Sequence, residues 1–341
     1  MRTIKSQLNW EQWSLVNRNK VYSRKIYVAK NIRGVQKNVL YLQKNPSPTH
    51  PDLDFIPRLA VTTNLKEADY VLVPHPWVAL RENSKYIKYL VEISKRTPIL
   101  ILNTGDISPS CFLPNTLELR TFLHPWENRF RKIVLPWPII KREFNLRAWR
   151  PKPTISFMGH IPKLSPGSLF GQNLSSLRRP IKSSVFINRK ISVLKLNSLS
   201  NYFDVSVVER DTFTALRSNL NFPQLSSEFS KSLSGSDYVL CPRGFGNSTV
   251  RFYEVISSGA TPILVDSGSE LPRISENNFW DTNVLKVKLF ENWRIKLEKD
   301  WATLSPTGVY EKRQEKSRQF FSSELEFEQY VSLLFQDYLI G

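Results

Sequence analysis

The sequence predicts an α/β protein of two Rossmann-like domains facing across a cleft, with a C-terminal helix, and three observations predict it. At 341 residues the chain is too long for one ordinary core. Short apolar runs alternate with stretches of helical period, the pattern of parallel sheets covered by helices. One half also echoes the other: KEADYVLVPHPW (66–77) and GSDYVLCPRGFG (235–246) each set Asp-Tyr-Val-Leu before a proline and a loop. Two buried strands that end where a sheet presents its loop edge would read this way.

Val71–Pro74 is the first such strand. Ala79–Arg96 follows with Ile87, Leu90, Val91 and Ser94 at helical spacing, then Ile99–Leu102 and Ile133–Leu135 as short buried strands. The proline-rich passage VLPWPII…RAWRPKP (134–153) places the boundary, giving one domain over 1–150 and a second, with the closing helix, over 151–341. In the second half Thr154–Met158 and Phe203–Val208 are strand-like, with helical Phe186–Leu199 between them. Val239–Cys241 and Thr261–Val265 are further strands, and Tyr310–Leu339 reads as one long closing helix.

Composition is globular, at 41% hydrophobic and 23% charged. No apolar run approaches the roughly 20 residues that span a bilayer, and MRTIKSQLNWEQWS has no secretory apolar core. A cytoplasmic protein is expected, peripheral at most at the inner face of a membrane. Cys111 and Cys241 are expected as two unpaired thiols. Four scattered histidines, no zinc-type spacing and an isolated Asp52-Leu53-Asp54 between prolines predict no metal site. The net charge of +18 is uneven: residues 1–150 hold 25 basic and 11 acidic side chains, a net of +14, and the rest carry +4. A basic half suggests an anionic partner such as a phosphate-bearing substrate, a phospholipid surface or nucleic acid. Nucleic acid is the weaker reading, because no recognition motif is present.

The densest signal is GSDYVLCPRGFGNSTVRFYEVISSGATPILVD (235–266). Pro242 ends a strand because it cannot donate to a ladder. Gly244 and Gly246 allow a tight turn, Asn247 or Ser248 suits the cap of a helix running to about Ser258, and Gly259 suits its left-handed end. Such a helix N-terminus favours phosphate. Arg243 and Arg251 add fixed cations, and Glu254 could accept from two ribose hydroxyls. Together they read as a nucleotide-diphosphate cradle. The bland alternative pairs Arg251 with Glu254, three residues apart, on the helix surface.

The stretch resembles the signature of exostosin-like glycosyltransferases: Cys241, Pro242, Gly244, then Ser248, Arg251, Phe252, Glu254, then Gly259, Pro262 and Leu271-Pro272. VTTNLKEADYVLVP (61–74) and RPKPTISFMG (150–159) are weaker echoes. The resemblance implies an inverting transferase of the GT-B kind; the cradle's own cations, with no ligand cluster in the sequence, predict that it works without a metal or cofactor. The resemblance also implies a nucleotide-sugar donor bound by the C-terminal half and a glycan or lipid-linked acceptor bound by the N-terminal half. A catalytically inactive relative would keep the same fold. Animal and plant members are usually membrane-anchored and disulfide-bonded, and this chain is expected to depart from them in both respects. The base that deprotonates the acceptor is expected at a loop edge of the first domain, Asp106 first and His75 second, while Gly159 and His160 would meet the donor. Trp10, Trp13, Tyr22, Tyr27, Trp77, Trp126 and Trp137 are candidates for sugar stacking, or core.

Overall fold

A computed structural model describes residues 25–30, 60–75, 77–103, 110–124, 127, 131–139, 141–161, 180–210, 222–244, 247–276 and 278–337. It divides into two units, the first taking in residues up to 140 with 269–277 and 323–341, the second 141–268 with 278–322.

The first unit holds a parallel sheet of β1 (Lys25–Val28), β2 (Ala60–Thr62), β3 (Tyr70–Val73), β4 (Ile99–Asn103), β5 (Thr116–Arg120) and β6 (Lys132–Val134), in the order β2-β1-β3-β4-β5-β6. Two helices lie between β3 and β4: α1 (Trp77–Leu80) and α2 (Ser84–Ser94). Asn83 caps α2 by accepting from the Tyr86 N–H, and Tyr86, Leu90 and Ile93 bury one face against Val71, Val73, Ile99 and Ile101.

The second unit holds β7 (Thr154–His160), β8 (Asp204–Arg210), β9 (Tyr238–Cys241), β10 (Thr261–Val265) and β11 (Leu285–Val287), all parallel, in the order β11-β10-β9-β7-β8. Its helices are α3 (Pro180–Asn197), α4 (Phe222–Ser234), α5 (Val250–Ser257), α6 (Phe279–Thr282), α7 (Trp293–Thr303) and α8 (Val309–Phe320). Phe157, Leu240, Ile263 and Val265 form its core with Val193, Leu196, Trp293 and Leu297. Strands buried on both faces explain why these read as continuous apolar runs.

The echo between the halves is structural. Asp69 precedes β3 and accepts from the Lys25 N–H at the head of β1, and its own N–H donates to the Lys25 carbonyl, both at 2.9 Å. Asp237 precedes β9 and makes the same two bonds with Thr154 at the head of β7, at 2.7 and 2.9 Å.

Two expectations need correction. The units divide at 140/141 instead of 150/151. Segment 141–150 is tied into the second unit by its arginines: Arg142 to Glu254, Arg147 to Tyr310 and to the Gly259 carbonyl, and Arg150 to Asp237 through both Nε and Nη2. The closing helix is not continuous. A π-helical turn at Phe321–Leu325 separates α8 from α9 (Phe327–Asp337). Phe327, Tyr330, Val331 and Leu334 of α9 then join Ile26, Leu72, Leu100 and Leu119 in the core of the first unit.

Candidate functional site

In an open parallel sheet, ligands bind outside the carboxyl ends of the strands where strand order reverses, because the connections there leave on opposite faces and open a crevice. In the second sheet that place lies between β7 and β9. The two strands pair only at Ile155–Tyr238 and Ser156–Val239, whereas β7 pairs with β8 through to His160. The Thr154 carbonyl accepts from Asp237 on the β9 side. Backbone groups alternate along a strand, so the carbonyls of Met158 and His160 also face the β9 side, beyond the last paired residue.

Arginines fill this place. Arg251, in the first turn of α5, donates Nη2 to the Met158 carbonyl at 2.5 Å, and its guanidinium lies 4.8 Å from the Phe157 ring centroid and 5.8 Å from that of Phe229. Its Nε and Nη1 are shut off from solvent with no hydrogen-bond partner among the described residues. Burial pushes its pKa down. A Cβ at Gly159 would lie 2.5 Å from Nη2, so glycine lets the guanidinium rest on the strand. Arg189 on α3, which no sequence signal marks, is 5% exposed and donates Nη1 to the His160 carbonyl at 3.2 Å. His160 Nδ1 lies 3.0 Å from the Arg210 carbonyl. A carbonyl only accepts, so Nδ1 is the donor of this pair.

Arg243 follows β9, with a pKa pushed down by burial and an Nε that is buried and without a partner among the described residues. The Gly244 N–H donates to the Ser248 carbonyl at 2.8 Å, and a Cβ at Gly244 would meet that oxygen at 2.7 Å. Asn247 takes the left-handed conformation, φ 62°, and donates to the Ser267 carbonyl at 3.4 Å. The N-cap of α5 is therefore Thr249 instead of Asn247 or Ser248, and its side chain makes no cap hydrogen bond. Once Asn247 is left-handed it cannot take the extended backbone of a cap. Gly259 is left-handed after the helix, φ 75°, as expected.

Arg251 and Glu254 do not share the contact that their spacing offers. Glu254 binds Arg142 from the unit's first segment, and Arg142 also donates to the Ser226 hydroxyl at 3.2 Å and lies 5.2 Å from the Phe229 ring centroid. One carboxylate oxygen of Glu254 is thus engaged within the protein.

The first sheet reverses its order between β1 and β3, and His75 follows β3 there. His75 is wholly buried, its ring edge-on to Tyr86 at 6.1 Å, while the Tyr86 hydroxyl donates to the Lys30 carbonyl at 2.7 Å. Asp106, Gly246, Asp52 and Asp54 lie outside the described residues, as do Trp10, Trp13, Tyr22 and Trp126. Trp77 is core, 1% exposed. Cys111 and Cys241 are both free thiols. Among the described residues no helix is long and apolar enough to cross a membrane, and no three of His, Cys, Asp and Glu gather as metal ligands would.

No family model and no curated protein sequence matches the chain. Among solved structures it is similar to TarM, at 11% identity and a TM-score of 0.35 over 81% of this chain and 52% of that one. It is also similar to a glycosyltransferase of kitacinnamycin, at 12% identity and a TM-score of 0.30 over 80% and 71% of the two chains. A mutant O-GlcNAc transferase of Thermobaculum terrenum is similar at 11% identity and a TM-score of 0.37 over 93% and 67%. The chain spans about half the length of TarM.

Proposed function

We propose that this chain is a glycosyltransferase that takes a sugar from a nucleoside-diphosphate donor held by the second unit. The observation that supports this most is a coincidence of two independent signals. Arg251 of the exostosin-like signature lies against Gly159 at the carboxyl end of β7, while Arg243 and the signature's Gly244 follow the carboxyl end of β9, at the reversal point of the sheet. Buried guanidinium N–H groups beside an uncapped helix N-terminus suit a group with several anionic oxygens. In that reading Arg251 and Arg243 stabilise the charge that grows on the departing diphosphate. Glu254 accepts from the ribose with the oxygen that Arg142 leaves, and His160 faces the donor. The acceptor is a glycan or a lipid-linked sugar, its hydroxyl deprotonated by Asp106 or His75 and the anomeric centre inverted. Synthesis of a bacterial surface polysaccharide at an anionic membrane face fits the basic first half.

The test is a thermal-shift panel of nucleotide sugars and free nucleoside diphosphates at fixed ionic strength. A ligand that binds the folded state raises the melting temperature with its concentration. At least one nucleoside diphosphate should do so in the wild type and not in Arg251→Met. A panel with no response at all overturns the donor-site reading.

A further inference from the structure

We propose that Arg189 is a second diphosphate-binding residue, paired with Arg251 to grip the two ends of the same anion. This rests on the reading of the second unit as the donor site. Strand geometry carries the pairing. Arg251 is anchored on the Met158 carbonyl and Arg189 on the His160 carbonyl, two residues apart on β7. Both carbonyls face the β9 side past the end of the β7–β9 ladder, so the two anchor points stand about 6.6 Å apart along the strand. The guanidinium groups come from different helices, α5 packed against β9 and β10 and α3 against β8. Gly159 between the anchors carries no side chain, and a Cβ there would strike Arg251. A diphosphate, with oxygens on two phosphorus atoms, has the length and charge to bridge such a pair.

The electrostatics agree. Burial pushes the pKa of Arg189 down to about 9, and the neighbouring charge of Arg251 pushes it the same way. Two cations that disfavour each other in a desolvated crevice are both stabilised by an anion held between them. The carboxylate nearest in effect to Arg251 is Glu254, and Arg142 already binds it.

The probe is inorganic pyrophosphate, titrated into the full chain by calorimetry at fixed ionic strength, with sulfate as the control anion. The wild type should bind pyrophosphate well above sulfate. Arg189→Met and Arg251→Met should each weaken pyrophosphate by about tenfold or more, the loss expected for a charge-assisted hydrogen bond. If Arg251→Met loses binding while folded Arg189→Met keeps wild-type affinity, the role of Arg189 is refuted and the donor site stands. If the wild type itself does not distinguish pyrophosphate from sulfate, both readings fall. Should Arg189→Met not fold, Arg189→Lys keeps the charge but not the fork, and it should bind pyrophosphate several-fold more weakly. Unchanged affinity in that variant overturns the proposal.

Discussion

The carboxylate of Glu254 and the guanidinium of Arg142 bind each other where each side chain is only 14% exposed. Such a pair is costly to break from one side, because the remaining charge stays in a poorly solvated place. Arg142 has little to fall back on, as its Nε is already buried without a partner among the described residues. Glu254→Gln should therefore lower unfolding free energy by about 1–3 kcal/mol in urea denaturation, the cost of leaving a buried charged group half satisfied. A ribose contact alone would weaken nucleotide binding and leave stability unchanged, so the two roles separate in one variant. Cys241 makes a second prediction. Burial pushes its thiol pKa up to about 12, with Glu254 adding to the rise and Arg251 opposing it. The folded state then holds this proton through the range in which an unfolded cysteine, near pKa 8.5, releases it. Its contribution to stability is complete below about pH 8.5 and is lost as pH climbs toward about 12. In a Cys111→Ser background, a thiol reagent at pH 8 should leave the native protein unmodified and label one thiol in denaturant. Rapid labelling of the native protein would show that Cys241 is not sealed in the sheet.

Elements show which parts of the pattern were legible. β9 and β10 are buried on both faces and read as unbroken apolar runs, so their positions follow from the sequence alone. TLELR in β5 alternates charge with leucine, the pattern of a strand with one solvated face, yet every residue in it is buried. Glu118 and Arg120 lie 3.6 Å apart at 5% and 1% exposure, and Arg120 also binds Glu127 at 2.8 Å. A buried ion network of this kind is invisible to hydrophobic periodicity. The turn after β9 divides similarly. Its glycines and arginines announce a tight loop, whereas the carbonyl that holds Arg251 lies on β7, far away in sequence. Two glycines in this region should respond to alanine in opposite ways. At Gly244 the new Cβ meets the backbone carbonyl of Ser248 at 2.7 Å, which cannot move without opening the turn. At Gly159 it meets only the tip of the Arg251 side chain. Gly244→Ala should lose about 1–3 kcal/mol of stability. Gly159→Ala should keep its melting temperature and lose nucleoside-diphosphate binding, because Arg251 must leave its anchor. Equal stability losses would place Arg251 in the packing of the sheet.

At the scale of the molecule, each unit carries a parallel sheet whose third strand in sequence lies beside the first, and an aspartate at the same place fixes each pair. The alternation of strands and helices made that doubling legible. The division of the chain was not, since the arginines that draw 141–150 into the second unit and the apolar face that draws α9 back to the first act through tertiary contacts. The same contrast governs how charge is used. A net of +18 is legible from composition, but composition does not say where cations become chemically effective. The fold withdraws Arg251 and Arg189 from water beside β7 and sets Arg243 at the end of β9, where a positive charge acts far more strongly than on a wet surface. Positive charge on a leaving diphosphate is what a divalent cation supplies in metal-dependent transferases. Guanidinium groups already in place would repel such an ion and compete with it for the same oxygens. Nucleoside-diphosphate binding should therefore be unaffected by EDTA. Excess Mg²⁺ should weaken it, because the chelated diphosphate presents less charge to the arginines. Calorimetry with EDTA and with Mg²⁺ at matched ionic strength decides the point, and binding that appears only when Mg²⁺ or Mn²⁺ is added would show that the arginines do not act in place of a metal.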